Sequence, residues 1–185
     1  PVAQTAQATT SVKKPVAPQY QQPQQQLPLK DVLLSAAKKA GMSGNELAAF
    51  MAQTAHETLN FTRMKEVGTP EYFTKKYESP RKAKILGNKV RGDGARYAGR
   101  GFIQLTGRDN YRMAGEALGL DLLNHPELAA KPDVAAKIAV WYWKTRVKPI
   151  VKNFNDTATV TKAINPAMRG LQDRQENFKD YMRII

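Results

Sequence analysis

Two glutamates stand nine positions apart in the segment "MAQTAHETLNFTRMKEVG", residues 51–68. Glu57 closes an apolar helical pattern, and Glu66 follows in a segment of loop character. Two carboxyls catalyse hydrolysis when one is held protonated and acts as an acid while the other is ionised and acts as a base. Glycosidases divide the work in this way. The pair therefore predicts glycosidic bond cleavage at a cleft that both carboxyls border.

The position of Glu57 on its helix favours the role of the acid. At about 100° per residue, Glu57 lies at the edge of the stripe that contains Phe50 and Thr54, whereas His56 points roughly to the other side. Partial burial disfavours the ionised form of a carboxyl. The alternative is a helix-end glutamate whose carboxylate reaches solvent or pairs with an arginine, and periodicity alone does not exclude it.

The neighbours of Glu66 favour the role of the base. Arg63 and Lys65 are close in sequence, and positive charge favours the ionised form that a base or an electrostatic stabiliser needs. The alternative is a solvated loop charge. A catalytic role is favoured because Glu57 is placed to be protonated while Glu66 is placed to be ionised.

Other chemistries lack their motifs. His56 and His125 are the only histidines, and His56-Glu57 lacks the second helical histidine of a zinc protease. The segment "GRGFIQLTG" lacks the Lys-Ser/Thr ending of a phosphate-binding loop, and no Gly-x-Ser-x-Gly elbow occurs. The absence of cysteine excludes disulfides, thiolate metal sites and cysteine nucleophiles. We predict neither a metal nor a cofactor.

The hydrophobic pattern predicts a mainly α-helical chain. A helix over 29–40 stops at Gly41, and Ser43 with Glu46 forms a capping box that opens the next helix. Further helices are predicted from Pro70 and over 108–118, 133–147, 156–164 and 171 to the C-terminus. A small β element is predicted near 97–106. No apolar run approaches the roughly 20 residues of a membrane span.

Composition divides the chain into two parts. Residues 1–28 are rich in Gln, Pro, Ala and Thr, and are predicted to be a linker to a partner domain or a docking arm that orders against another protein. Residues 29–185 are predicted to be the catalytic domain. The sequence begins with Pro1 and no signal peptide is visible, so we expect a processed product or a fragment.

A formal charge of +13 predicts an anionic partner. Residues 75–100 carry nine lysines and arginines against Glu78 and Asp93. The aromatic residues follow helix-core spacing and are not interleaved with these cations, so we expect no nucleic-acid binding. The alternative for this segment is a solvated, mobile loop.

Three blocks resemble glycoside hydrolase family 19, and in particular its bacteriophage and bacterial members, the endolysin-type lysozymes. They are "AQTAHET" followed by Glu66, then "YAGRGFIQLTGRDNY" (97–111), then "AINPAMRGLQDRQENF" (163–178). The resemblance covers about residues 28–185. It implies a lysozyme-like, two-lobed helical domain with a small β element beside the cleft. It also implies cleavage of β-1,4 bonds between N-acetylated amino sugars with inversion, for which the two carboxyls stand roughly 6.5–9.5 Å apart.

The resemblance assigns roles to individual residues. Glu57 matches the general acid, Glu66 the general base, and Thr106 the residue that helps to hold the attacking water. The residues that match substrate-binding positions are Tyr97, Arg100, Gln104, Asn110, Asn165 and Arg174, of which Arg174 matches an arginine that pairs with the acidic residues. The alternative for Gln104 and Asn110 is hydrogen bonding within the turn. The third block departs from the family, because Asn165-Pro166-Ala167 replaces the usual Asn-Gly-Gly.

The predicted substrate is peptidoglycan, because the basic segment favours an anionic polymer over neutral chitin. The chain also lacks the disulfides of plant chitinases. We predict a phage-encoded endolysin or muramidase that acts on the bacterial cell wall, either from the host cytoplasm or periplasm at lysis or on a virion or tail through residues 1–28. The alternatives are a chitinase, a non-catalytic cell-wall-binding protein, and a virion structural protein.

Overall fold

The computed structural model of the protein describes residues 27–185, so most of the predicted arm lies outside the described residues. From Leu27 onward the chain is mainly helical, as predicted. The α-helices are α1 (Leu29–Lys39), α2 (Gly44–Glu57), α3 (Pro70–Tyr77), α4 (Pro80–Leu86), α5 (Asp93–Arg96), α6 (Arg108–Leu118), α7 (Pro132–Tyr142), α8 (Thr157–Ile164) and α9 (Leu171–Ile184). A 3-10 turn (Pro126–Ala130) precedes α7, and a π-type turn (Trp143–Val147) extends it.

Helix α2 lies at the centre of the molecule. Every side chain from Leu47 to Ala55 is buried, whereas the sequence pattern predicts only an inward stripe. A helix that is apolar on all sides is typical of a core position. Helix α9 packs along α2, and the main apolar cluster joins side chains of α1, α2, α7, α8 and α9. The end of α2, where Glu57 stands, is therefore held by the core.

A second apolar cluster lies under α6 and the chain segment before it. It contains Tyr97, Leu105, Tyr111, Leu122 and Ile138. Helix α7 contributes side chains to both clusters, and Ile103 packs against both. The molecule thus has two lobes that meet along α7.

The predicted β element is a pair of isolated bridges, Lys65 with Arg100 and Arg100 with Leu105. The Glu66 N–H donates to the Gly99 carbonyl (2.8 Å), and the Leu105 N–H donates to the Arg100 carbonyl (2.9 Å). Three short extended segments therefore lie side by side. They bring Glu66 next to the segment that ends at Thr106.

A left-handed turn connects α2 with this β element. Leu59, Asn60 and Phe61 have φ of 48°, 56° and 62°. Such a conformation costs a non-glycine residue about 1–2 kcal/mol. The buried Thr58 hydroxyl stabilises the turn, because it donates to the Thr54 carbonyl (2.7 Å) and accepts the Phe61 N–H (2.9 Å). The chain reverses directly after Glu57, which allows Glu66 to return to the same side of the molecule.

Two features differ from the sequence prediction. Helices α4 and α5 lie inside the basic segment, which has no apolar periodicity to indicate them. Ser43 does precede α2, but its hydroxyl makes no capping hydrogen bond to the described residues. The Glu46 carboxylate instead accepts Trp143 Nε1–H (3.1 Å) and Lys148 Nζ–H (3.0 Å), because packing against the π-type turn brings these donors to it.

Within residues 27–185, none of the helices combines the length and the apolar character that crossing a bilayer requires.

Candidate active site

A groove of about 300 Å³ collects five of the predicted site residues: Glu57, Gln104, Thr106, Asn110 and Asn165. Its walls are completed by Leu86, Ile103, Leu105, Tyr142, Ile164 and Pro166. The end of α2, the β element, the start of α6 and the ends of α7 and α8 thus meet at one place. An apolar wall with a few polar groups is typical of a ligand site.

The carboxyl of Glu57 is bound on one oxygen. Arg174 Nη2 donates to Glu57 Oε1 (2.7 Å). The Glu57 side chain is 19% exposed, whereas that of Arg174 is 1% exposed. Since Oε1 is engaged as an acceptor, a proton on this carboxyl is carried by Oε2. The sequence left pairing with an arginine open as an alternative for Glu57. That pairing is present, and Glu57 also lines the groove.

A buried chain of polar groups holds Arg174 in place. Arg174 Nη1 donates to Gln53 Oε1 (2.6 Å), and its Nε donates to the Arg169 carbonyl (3.0 Å). Gln53 Nε2 donates in turn to Thr161 Oγ1 (3.0 Å). The chain links α2, α8 and α9 behind Glu57. Sequence reasoning missed Gln53, although it precedes Glu57 by four residues and so lies on the same helix face.

The carboxylate of Glu66 is bound on both oxygens. Lys76 Nζ donates to Oε1 (2.7 Å), and the Gly99 N–H donates to Oε2 (3.0 Å). The Tyr77 hydroxyl lies 2.8 Å from Oε1 and 2.9 Å from Oε2. Sequence reasoning missed both α3 residues as partners of Glu66, because only the packing of α3 brings them to it.

These contacts keep Glu66 ionised. Burial acts to raise the pKa of Glu66, but the hydrogen bonds from Lys76, Gly99 and Tyr77 and the charge of Lys76 outweigh it and leave the pKa below its usual value. Burial, together with the hydrogen bond to Glu66, raises the pKa of Tyr77 to about 12. Partial burial acts to lower the pKa of Lys76, yet the hydrogen bond to Glu66 leaves it raised. At neutral pH the site holds an anion, a cation and a neutral phenol.

Gly99 shows how Glu66 meets the groove. A β-carbon on Gly99 would lie 2.9 Å from Gln104 Oε1, 3.0 Å from Glu66 Oε2 and 3.3 Å from Thr106 Oγ1. Three polar side chains therefore surround one point, and glycine leaves room for them. Gln104 and Thr106 line the groove that contains Glu57, and Glu66, which is not one of its lining residues, lies behind the Gly99 position that these two residues share.

The polar residues of the β element are partly used by the turn itself. Thr106 Oγ1 donates to the Gln104 carbonyl, Asn110 Nδ2 to the Thr106 carbonyl, and Gln104 Nε2 to the Gly101 carbonyl, each at 2.8 Å. Hydrogen bonding within the turn, the alternative for Gln104 and Asn110, is thus present. It engages the Thr106 proton and one N–H of each amide, so the side-chain oxygens and the second N–H of each amide are what these residues offer to a ligand.

The structure corrects the prediction that Tyr97 and Arg100 face the substrate. Both are buried. The Tyr97 hydroxyl donates to the Leu123 carbonyl (2.8 Å), and Arg100 Nη1 donates to the Arg96 carbonyl (2.8 Å) and to the Tyr111 hydroxyl (2.9 Å). These side chains point into the second lobe, where they donate hydrogen bonds to backbone carbonyls, groups that need a donor when they are buried.

The prediction that Arg174 binds substrate is also corrected, because the buried guanidinium contacts protein groups. Its pairing with Glu57 is the other role that the resemblance implies. Asn165 does line the groove, and its Oδ1 accepts the Ala167 N–H (3.1 Å). The left-handed position of this turn is Met168 (φ 58°), so proline and alanine at 166 and 167 are accommodated.

Comparison with known sequences identifies the family of this chain. The model of glycoside hydrolase family 19, described as chitinase class I, matches residues 33–169. A glycosyl hydrolase family 19 domain-containing protein of Haemophilus influenzae is 33% identical over 171 residues, which cover 78% of this chain and 83% of the relative. An endochitinase of Arabidopsis thaliana is 36% identical over 149 residues, which cover 76% of this chain and 51% of the relative. The chain thus spans about half the length of this plant enzyme.

Solved structures give the same result. Chitinase C of Streptomyces griseus superposes with a TM-score of 0.62 at 29% identity, over 84% of this chain and 68% of that one. A bacterial family 19 chitinase superposes with a TM-score of 0.60 at 26% identity, over 84% of each chain. Family, mainly helical fold and enzyme class are confirmed together: the chain belongs to glycoside hydrolase family 19.

Proposed function

We propose that this chain cleaves β-1,4 bonds between N-acetylated amino sugars by an inverting mechanism, with Glu57 as the acid and Glu66 as the base. The observation that carries the proposal is the unequal hydrogen bonding of two carboxyls, one that lines the groove and one that lies next to its wall residues Gln104 and Thr106. Glu57 is bound on one oxygen, which leaves the other for a proton, whereas Glu66 is bound on both and is held ionised. This division of roles is what glycoside hydrolysis needs.

Glu57 protonates the glycosidic oxygen as the bond from that oxygen to the anomeric carbon breaks. The transfer leaves a carboxylate on Glu57. Arg174 already donates to this group, so the new negative charge forms next to a fixed positive charge. A donor that is in place before charge develops stabilises the transition state without reorganisation.

Thr106 and Glu66 together orient the attacking water. The single Thr106 proton is donated to the Gln104 carbonyl, so the Thr106 oxygen acts toward water as an acceptor. The ionised Glu66 is also an acceptor. A water that donates one hydrogen to each keeps a lone pair for the anomeric carbon. Its oxygen bonds to that carbon from the face opposite the leaving group, its proton passes to Glu66, and the configuration inverts.

Charge beside the groove favours peptidoglycan as the polymer. Helix α4 contributes Leu86 to the groove wall. We define the basic surface as the exposed cations of α3, α4, α5 and their connections other than Lys76, which pairs with Glu66: Lys75, Arg81, Lys82, Lys84, Lys89, Arg91 and Arg96. Peptidoglycan carries acidic stem peptides, whereas chitin is neutral. Cations on the helix that contributes Leu86 to the groove wall would raise the local concentration of the anionic polymer.

Chitin is the second candidate. The relatives named above include an endochitinase and two chitinases, and the two polymers share a β-1,4 amino-sugar backbone. The two carboxyls act on a bond that both polymers contain, so the choice between them depends on groups that bind outside the reacting sugars.

Analysis of the products tests the proposal. The protein is incubated with purified peptidoglycan and, separately, with chitin oligomers, and the fragments are identified by mass spectrometry and by NMR of the new reducing end. We expect peptidoglycan fragments that end in N-acetylmuramic acid and appear first as the α anomer. A β anomer at the earliest time points would contradict inversion. Cleavage of chitin oligomers alone would select the chitinase.

Action on the bacterial cell wall, at lysis or from a phage particle that residues 1–28 contact, belongs to the same proposal. It is supported by the positive charge of the basic surface, which would attract an anionic wall polymer. The test is the fall in turbidity of permeabilised bacteria after addition of the full chain, with the Glu57→Gln variant as the inactive control.

A further inference from the structure

The carboxylate of Glu66 is surrounded by more donors than a base requires. Among the described residues, the Lys76 ammonium, the Tyr77 hydroxyl and the Gly99 amide each direct a hydrogen to it. The Tyr77 hydroxyl has one proton and lies nearly equidistant from the two oxygens, so it counts once. A carboxylate has about four lone-pair sites, of which these donors leave one.

We infer that Lys76 and Tyr77 are positioning residues, which hold Glu66 ionised and leave a single lone pair directed to the groove, and that Lys76 sets the lowest pH at which the enzyme works. This inference rests on the proposed role of Glu66 as the base. It adds two residues of α3 that contact the base.

The remaining lone pair points toward the water site proposed above. The β-carbon position of Gly99 is close both to Glu66 Oε2 and to Thr106 Oγ1. Oε2, which accepts the Gly99 N–H, is thus the oxygen near Thr106, and we assign the remaining lone pair to it because Lys76 covers Oε1. With one open site, a water can approach Glu66 from only one direction.

Lys76 is more firmly held than the lysine of an ordinary surface ion pair. Its Nζ lies 5.4 Å from the ring centroid of Tyr72 and 5.1 Å from that of Tyr77, which is within cation–π range. The Glu66 side chain is only 18% exposed. Exposed ion pairs contribute little because solvent screens them and long side chains lose entropy. Here the aromatic rings restrict the lysine and the carboxylate is largely shielded.

Helix α3 makes the arrangement rigid. Thr69 caps the helix by accepting the Tyr72 N–H (3.2 Å), and Pro70 occupies its first turn. The buried Phe73 anchors the helix, and its ring stacks on that of Tyr77 with centroids 6.2 Å apart. The Tyr77 hydroxyl is therefore held at a fixed distance from Glu66.

The other groups near Glu66 do not replace Lys76 as a source of charge. The β element contributes the neutral Gly99 N–H, and the Arg100 guanidinium is directed at carbonyls and at Tyr111. Burial raises the pKa of Tyr111, on α6, to about 12, so this phenol stays neutral. Within residues 27–185, Lys76 is thus the cation in hydrogen-bond contact with the base.

The pH profile of Lys76→Met tests the inference, with Lys137→Met, an exposed α7 lysine, as the matched control. The acid limb of kcat/KM reports the ionisation of the base in the free enzyme. Without the cation the pKa of Glu66 rises, so we expect this limb to move up by about one pH unit in Lys76→Met. The control keeps the native profile. An unchanged limb in Lys76→Met would overturn the inference, since a merely structural lysine changes rates without moving the limb.

Tyr77→Phe tests the second contact, because it removes the hydroxyl and keeps the ring. A misplaced base lowers kcat, and we expect a loss of about ten- to a hundredfold with KM little changed. Native kcat in this variant would overturn the role of Tyr77.

Glu66→Gln separates this inference from the proposed function. If Glu66→Gln is inactive and Lys76→Met keeps the native acid limb, the base assignment stands and the inference fails. If Glu66→Gln retains turnover, the base assignment fails. The NMR titration of the Glu66 carboxyl in native protein and Lys76→Met then still measures whether Lys76 holds it ionised.

Discussion

Arg174 Nη2 lies 2.7 Å from Glu57 Oε1 although 117 residues separate the two in sequence. The contact exists because α9 packs along α2, which brings the start of one helix against the end of the other. It places a buried cation behind the proposed acid, and Gln53, which donates in turn to Thr161, accepts a second hydrogen bond from that cation. The acid is thus positioned by the packing of three helices.

Glu57→Gln is expected to lower kcat by about a hundredfold or more, because an amide cannot protonate the glycosidic oxygen. The amide oxygen can still accept from Arg174, so the midpoint of thermal unfolding should stay close to native. Release of reducing ends and a thermal melt measure the two effects. Glu71→Gln, an exposed glutamate of α3, is the control and should behave as native. Native turnover in Glu57→Gln would contradict the assignment of Glu57 as the acid, whereas wall binding without turnover in the native protein would support a non-catalytic wall-binding protein.

Arg174→Lys is expected to lower the free energy of unfolding by about 2–3 kcal/mol, because one ammonium cannot reach Glu57, Gln53 and the Arg169 carbonyl together. Urea unfolding followed by circular dichroism measures this loss. Arg183→Lys is the matched control, since its partner Asp180 is exposed and such pairs contribute little. Equal stability of the two variants would show that the buried guanidinium does not support the fold.

Asp93→Asn is expected to remove part of the acid sensitivity of the fold. Burial acts to raise the pKa of Asp93, but hydrogen bonds from Arg108 and from the N–H groups of Lys89 and Val90 lower it to about 2. A carboxyl with a lowered pKa stabilises the fold above its unfolded pKa, and this contribution is lost as pH falls through the folded value. The native free energy of unfolding should therefore fall by about 2 kcal/mol from this group between about pH 4 and pH 2.

Urea unfolding at several pH values compares native protein with Asp93→Asn. The variant should be less stable at neutral pH and should show a flatter dependence in acid. Asp133→Asn, at the exposed start of α7, should follow the native curve. Parallel curves for native protein and Asp93→Asn would contradict the assigned role of the ion pair with Arg108.

The double variant Lys82→Glu/Lys84→Glu is expected to bind purified cell walls less tightly, because both positions belong to the basic surface beside the groove. Lys38→Glu/Lys39→Glu on α1 changes the net charge equally and is the matched control. Binding is measured by sedimentation with walls at increasing salt, which screens charges beyond about 8–10 Å. Equal weakening in both variants would assign the attraction to net charge alone. Salt-independent binding would indicate a neutral ligand.

Much of the fold and part of the site could be predicted from short-range patterns. Apolar spacing, Gly41, Gly119 and the prolines place most helices, because a helix end or an apolar face depends on residues within a few turns. The position of Glu57 at the end of α2 follows from the same pattern. The "YAGRGFIQLTGRDNY" block indicates the turn that carries Gln104, Thr106 and Asn110.

By itself, then, the sequence determined the helical class, the family and the two carboxyls, since each is written in local spacing or in contiguous motifs. Only the tertiary structure decided that Lys76 and Tyr77 bind Glu66, that Arg174 binds Glu57, and that Arg100 turns inward. The physical reason is that hydrogen-bond partners are selected by distance and burial after the helices pack. Such partners are far apart in the sequence, or are adjacent residues on opposite faces of one segment, so no short sequence pattern predicts which groups will bind each other.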